Sequence, residues 1–202
     1  MSHHVYTTPG FVIESHEHRE AGKFVYIFTR DLGMVGATAQ GIRFEKSKLR
    51  YYAQDFSLAT FSLVRGKEMW RIVGAQEILS EAAQKAGQKT LEINKEKYAL
   101  YVRMLKMLKR LIPGEEKHEA LFDEIIAANN FLEKGKIDVG FAEPIIMLRI
   151  LNHLGYVRAA PEFAALIQGG LFDDSLLDTI TKPGVKQKVI REINAALKES
   201  QL

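Results

Sequence analysis

The chain has 202 residues, 28 Lys+Arg against 25 Asp+Glu for a net charge of +3, and no cysteine. That length suffices for one domain or two small ones with a buried core, and the missing cysteines exclude a disulfide scaffold, a thiolate nucleophile and a Cys-ligated zinc site. No apolar run approaches the ~18 residues of a membrane span, and Met1-Ser2-His3-His4 does not open a signal peptide, so no membrane segment and a cytoplasmic location are expected.

The first 76 residues carry short apolar runs rich in aromatic and branched side chains. Phe11-Val12-Ile13, Phe24 to Phe28, Met34 to Ile42, Phe56 to Val64 and Met69 to Val73 are each strand-length. Turn chemistry separates them at Glu20-Ala21-Gly22-Lys23, at Arg30-Asp31-Leu32-Gly33 and over the polar stretch Arg43 to Asp55. In the fourth run the alternation slips, with Phe56 and Leu58 in one phase and Phe61 and Leu63 in the other. A bulge there is expected to restore one inward face. Gly36, Ala37 and Ala39 thin the third run, as close backbone approach in a small barrel requires. Five short strands in this length predict a small barrel of the OB or SH3-like kind.

Beyond residue 76 the period becomes helical. Tyr98, Tyr101, Val102, Leu105, Leu108 and Ile112 form one stripe, stopped by Pro113-Gly114. Further helices are predicted over about 115–133, 141–154 (ended by Gly155), 161–168, 173–180 and 185–199. The fold class is α+β: a barrel domain over 1–76 and an all-helical domain over 77–202.

The charge is blocked along the chain. Residues 23–71 carry +5, 81–112 again +5, 113–181 −7 and 182–202 +3, so a near-neutral total conceals two strongly basic blocks. The most informative segment is Arg43-Phe44-Glu45-Lys46-Ser47-Lys48-Leu49-Arg50-Tyr51-Tyr52, which places four cations and three aromatics in one loop. Single-stranded nucleic acid is held by cations on phosphates and aromatic faces on bases. From composition, a binding loop and a solvated loop with its aromatics folded inward are both open. Lys23, Arg30, Arg65, Lys67 and Arg71 add to it only if they share its face. Arg103, Lys106 and Arg110 fall at i, i+3, i+7 on the first long helix, which fits either a solvated face or a partner surface. His16, Glu17, His18 and Glu20 lack the H-E-x-x-H spacing, and no metal is expected. No nucleophile elbow, P-loop or dinucleotide fingerprint is present, so no enzyme activity is expected.

Tyr6-Thr7-Thr8-Pro9-Gly10-Phe11-Val12-Ile13, Glu20, Ile27-Phe28-Thr29-Arg30-Asp31-Leu32-Gly33, Ala39-Gln40-Gly41-Ile42-Arg43 and Lys46-Ser47-Lys48-Leu49-Arg50 follow one another in an order and spacing that closely resemble the N-terminal domain of the RecO family of bacterial recombination mediators. Ile146 to Leu151 with Leu154-Gly155-Tyr156 is similar to that family's leucine-rich helix. The resemblance implies an OB-fold that binds single- and double-stranded DNA, joined to helices. It further implies a non-catalytic role: annealing complementary strands and, with RecR, helping load RecA onto DNA coated by single-stranded-DNA-binding protein, in the nucleoid. Carried over by position, the expected DNA contacts are Arg30, Arg43, Lys46, Lys48 and Arg50. Lys23, Tyr51, Arg65 and Lys67 join them from the residue reading. Arg103, Lys106, Lys109 and Arg110 are candidates for a protein partner on charge alone. The four-cysteine zinc site that many members carry after Leu-Gly-Tyr is missing, so no zinc or other cofactor is implied. An RNA-binding OB module and a protein-interaction adaptor are the alternatives.

Overall fold

The computed structural model describes residues 4–78, 94–134, 138–158, 160–169 and 174–199. Its residues gather into two compact units. One holds the barrel with residues 105–122; the other holds residues 94–104 and the described residues from 123 onward.

Five strands make the barrel: β1 (Val5–His18), β2 (Gly22–Thr29), β3 (Gly33–Ala39), β4 (Leu58–Arg65) and β5 (Trp70–Gln76). They close in the order β1-β2-β3-β5-β4, the OB-fold arrangement, with β3 and β5 parallel and the other pairs antiparallel. Closure depends on the length of β1. Its first half pairs with β4, from Val5↔Val64 to Phe11↔Leu58, and its second half with β2, from Gly10↔Thr29 to His18↔Gly22. A bulge at Ile13 lies where the register steps from Val12↔Ile27 to Glu14↔Tyr26. The extra residue bends the strand and allows Phe11, Val12 and Ile13 all to be buried although they are consecutive.

Inside the barrel Val12, Val25, Ile27, Val35, Ala37, Phe61, Leu63 and Ile72 form the core. Outside it, Phe122 packs on Phe11 and Phe28 with ring centroids 5.1 and 5.7 Å apart. Gly36 serves close approach, since a Cβ there would lie 2.6 Å from Phe24 Cζ. Gly33 (φ +71) combines a left-handed turn with backbone contact to Glu116, and Met34 N–H donates to Gly114 O at 3.0 Å.

Two details differ from the sequence expectation. β4 is regular, with Ala59, Phe61 and Leu63 buried in one phase. Phe56 precedes the strand at φ +66, and Phe56 N–H donates to Val12 O while Val12 N–H donates to Ser57 O, both at 2.8 Å. The phase slip is therefore a clamp onto β1. The bulge belongs to β5 at Val73, where Ser62 pairs with Gly74 and Leu63 with Ile72. The polar stretch between β3 and β4 also contains a one-turn helix, α1 (Leu49–Tyr52).

The remaining helices are α2 (Lys95–Leu111), α3 (Glu119–Lys134), α4 (Val139–His153), α5 (Ala164–Gln168, after a 3-10 turn at Pro161–Phe163), α6 (Asp174–Ile180) and α7 (Val185–Glu199). α3 starts four residues later than its periodicity suggests, because Glu115 and Glu116 are engaged by the barrel through Arg65, Trp70 and Gly33. In the helical unit α4 is central and buried from Pro144 to Leu151. Asp138 caps it, accepting from Gly140 N–H at 2.7 Å, and Gly155 (φ +78) ends it. Within this apolar helix lies Arg149, only 7% exposed. Its Nε and Nη2 donate to Glu124 Oε1 and Oε2 of α3 at 2.5 and 3.0 Å, and its Nη1 to the carbonyls of Leu166 and Gly169 at 3.1 and 2.6 Å. One guanidinium thus ties α3, α4 and the segment after Leu154-Gly155-Tyr156 together. No helix among the described residues is long and apolar enough to cross a membrane.

Candidate nucleic-acid interface

The loop from Gln40 to Ser57 is anchored by its apolar residues and presents its charged ones. Ile42 and Ala53 enter the barrel core, with Leu49 and Tyr52 packed against it. Arg43 N–H donates to Ala21 O at 3.2 Å, and Ser57 Oγ donates to Tyr52 O at 2.6 Å, fixing both ends. Between these anchors Arg43, Phe44, Lys46, Lys48, Arg50 and Tyr51 are exposed. The two readings left open by composition divide by residue. Tyr52 folds inward, whereas Phe44 and Tyr51 are 64% and 71% exposed.

Three of the expected cations converge. Lys23, Arg43 and Arg50 line one open cleft of about 380 Å³, floored by Ile42 and Ala53. Lys23 Nζ donates to Ser15 Oγ at 3.2 Å, and that hydroxyl donates to Asp55 Oδ1 at 2.6 Å, so the ammonium is held at the cleft wall. Arg43 donates to Glu17 Oε2 at 3.2 Å and to the Glu20 carbonyl at 3.3 Å, bracing the β1–β2 turn against the loop. Lys46, Lys48 and Arg50 have no ion-pair partner among the described residues.

Arg30, Arg65, Lys67 and Arg71 do not line this cleft. Arg30 sits in the β2–β3 turn, at the far end of β2 from Lys23 and about 23 Å away at the usual strand rise. Arg65 pairs with Glu115 and lies 4.9 Å over the Trp70 ring, whose Nε1 donates to Glu115 Oε1 at 3.1 Å. Lys67, in the β4–β5 turn, and Arg71, on β5, are exposed.

Most of the candidate partner cations on α2 are engaged within their own units. Arg103, in the helical unit, forks onto Glu143 at 2.9 and 3.1 Å. In the barrel unit Lys106 lies 5.8 Å over Phe56, and Lys109 binds Glu14 while lying 4.0 Å over Tyr26. The hydrogen bond from Lys109 holds the Glu14 carboxyl below its ordinary value, against a smaller opposing effect of burial. Arg110 is exposed. His16 Nε2 lies 3.4 Å from Glu14 Oε1 and its ring edges Tyr26, whereas Glu17 binds Arg43, and no group of three or more potential ligands is placed to hold a metal among the described residues.

One further group escaped the sequence reading. On the outer face of β1, β2 and β3, residues align in rows: Phe11–Phe28–Met34, Glu14–Tyr26–Gly36 and His16–Phe24–Thr38. Finding these rows requires the bulge and the register, which periodicity alone does not supply.

Residues 1–80 match the family described as Recombination protein O N terminal. The barrel is thus similar to the N-terminal domain of RecO. A DNA repair protein RecO of Clostridium novyi (strain NT) is 25% identical over 152 residues, 75% of this chain and 57% of the relative. That of Rubrobacter xylanophilus is 33% identical over 76 residues, 38% of this chain and 31% of the relative. That of Cupriavidus pinatubonensis is 30% identical over 128 residues, 63% of this chain and 41% of the relative. The chain spans 57% of the Clostridium novyi RecO and 62% of that from Alkaliphilus metalliredigens. The exposed loop and the cationic cleft both lie inside the part matched to RecO.

Proposed function

We propose that this chain acts in recombinational DNA repair as a non-catalytic mediator, binding single- and double-stranded DNA through its barrel. The observation that carries the proposal is the anchored loop of a barrel similar to the RecO N-terminal domain, where Lys46, Lys48 and Arg50 have no ion-pair partner among the described residues and Phe44 and Tyr51 are exposed. Its cations neutralise backbone phosphates while an aromatic ring stacks on a base. The cleft of Lys23, Arg43 and Arg50 holds a second stretch of backbone. Neutralising two strands at once lowers their repulsion and lets complementary sequences anneal. In this division of labour residues 1–76 hold DNA. Residues 77–202 meet the protein partners: single-stranded-DNA-binding protein, RecR and, through them, RecA.

The test is annealing of complementary strands coated by the cognate single-stranded-DNA-binding protein, with and without this chain. Acceleration is expected, and it should be lost when Arg43, Lys46, Lys48 and Arg50 are changed together to Ala. No acceleration by the wild-type chain would overturn the mediator role. A marked preference for RNA over DNA of the same sequence would move the assignment to RNA, because only a reader of the 2′-hydroxyl separates them.

A further inference from the structure

Phe44 and Tyr51 are the two exposed rings of the β3–β4 loop, and their surroundings differ. Residues 41–44 close a turn in which Phe44 N–H donates to Gly41 O at 3.1 Å. Within that turn Ile42 is buried in the barrel core, and Arg43 N–H donates to Ala21 O at 3.2 Å. The turn is therefore anchored on two sides, and it carries residue 44 back over residue 41. Gly41 lies at φ +67, a left-handed conformation that glycine adopts without steric cost.

A Cβ on residue 41 would meet Phe44 Cδ2 at 3.3 Å and Cε2 at 3.5 Å. One edge of the ring is thus seated against the bare Cα of Gly41, while the side chain as a whole stays 64% exposed. Tyr51 stands on the one-turn helix α1, is 71% exposed, and contacts no other ring or cation among the described residues. A seated ring has already given up rotamer freedom that a free one loses only on binding. Lys46 and Lys48, which follow Phe44 within four residues, are exposed and have no ion-pair partner among the described residues. A base on the Phe44 ring would therefore have cations close by in the loop for its phosphates.

We propose that Phe44, rather than Tyr51, is the ring that stacks on a nucleobase, and that Gly41 is a positioning residue acting through that ring. This rests on the reading of the loop as a nucleic-acid binder and deepens it, naming the side chain that meets the base.

The experiment titrates the full chain with an oligothymidylate and with an abasic strand of the same length and charge. Phe44→Leu should lower affinity for the thymidylate by about 5- to 100-fold, the range of one base–aromatic stack, and leave the abasic strand unchanged. Phe44→Trp should bind like wild type, and Tyr51→Leu should change either affinity by less than about twofold. Gly41→Ala should weaken thymidylate binding by about 2- to 10-fold, the cost of ordering one side chain again, with the abasic strand unaffected. Its melting temperature falls as well, because alanine is strained at φ +67. Adding Gly41→Ala to Phe44→Leu separates the two effects. The double variant should bind thymidylate no more weakly than Phe44→Leu alone, although the fall in melting temperature persists. Gly41→Asn, which tolerates the left-handed conformation better, takes its place in the cycle if Gly41→Ala does not fold.

Equal losses on the two strands in Phe44→Leu, no loss at all, or a loss as large in Tyr51→Leu would overturn the stacking assignment and leave the loop's cations as binders. A further thymidylate loss from Gly41→Ala in the Phe44→Leu background would make Gly41 a structural residue alone. If wild type binds neither strand at low salt, the nucleic-acid reading itself fails and takes the stacking ring with it.

Discussion

Arg149 and Glu124 meet as a two-bond fork inside the helical unit, their side chains only 9% and 11% exposed. The same guanidinium satisfies two carbonyls of the segment after α4. Breaking such a buried pair strands a charge, whereas replacing both partners by apolar groups removes the desolvation penalty as well. Arg149→Met alone and Glu124→Leu alone are each expected to destabilise the helical unit by about 3–5 kcal/mol. Combined with Glu124→Leu, Arg149→Met should recover much of that loss, though the carbonyls of Leu166 and Gly169 remain without a donor. Urea denaturation followed by circular dichroism checks this, and additive losses in the double variant would contradict it.

The same pair sets an acid limit. Burial acts to raise the Glu124 carboxyl, but hydrogen bonds from His153 and Arg149, together with their charges, outweigh it and hold the group below its ordinary 4.5. A depressed folded-state value stabilises above the unfolded one and loses that stabilisation as pH falls through the folded value. Glu14, held down by Lys109, works in the same direction. The melting temperature should therefore change little in these contributions above about pH 5 and drop below pH 4.5, less steeply in Glu124→Gln. A Glu124→Gln curve parallel to wild type through that window would refute the linkage.

The barrel was legible in the sequence because each strand carries a compact aromatic or branched run between turn residues, and α2 to α7 because their apolar stripes are regular. What escaped depends on long-range geometry. Phe56 reads as the start of a strand, but its N–H donates to Val12 O, 44 residues earlier, and Ser57 O accepts from Val12 N–H, which holds the pair out of β4. Arg149 reads as one cation in an apolar helix, and only tertiary packing supplies Glu124, 25 residues away. The loop's cations were visible as composition; which of them already has a carboxylate was not. Arg43 and Lys46 look equivalent in sequence, yet Arg43 is paired with Glu17 and Lys46 has no carboxylate partner among the described residues.

That distinction separates two kinds of arginine and lysine. Changing Lys46, Lys48 and Arg50 together to Ala should reduce the slope of log affinity against log salt for single-stranded DNA by about 2, at about 0.7 per lost phosphate contact. Thermal stability should hardly change, since these side chains have no ion-pair partners among the described residues. Arg65→Ala should do the reverse. Losing Glu115 and the Trp70 ring costs about 1 kcal/mol of stability, with the salt slope intact. Fluorescence anisotropy over a salt series and thermal melts give both readings. A flattened slope in Arg65→Ala would place DNA on that side of the barrel as well.

Glu17 stands against the proposed backbone path. Its carboxylate is 73% exposed and binds Arg43, one of the three cations lining the cleft. A phosphate entering the cleft has to displace that partner or tolerate its charge, so Glu17 competes with the ligand. An exposed pair is worth less than about 1 kcal/mol. Glu17→Gln should therefore raise affinity for single-stranded DNA by about two- to fivefold at low salt, and the gain should shrink as salt screens the repulsion. The pairing makes a second demand. In an Arg43→Ala background the gain from Glu17→Gln should be smaller, because only the general repulsion of a carboxylate remains to be relieved. The four proteins of this cycle, titrated at two salt concentrations, decide it. An equal gain with and without Arg43 would make Glu17 a bystander charge, and no gain at all would remove the Lys23–Arg43–Arg50 cleft from the path of the DNA.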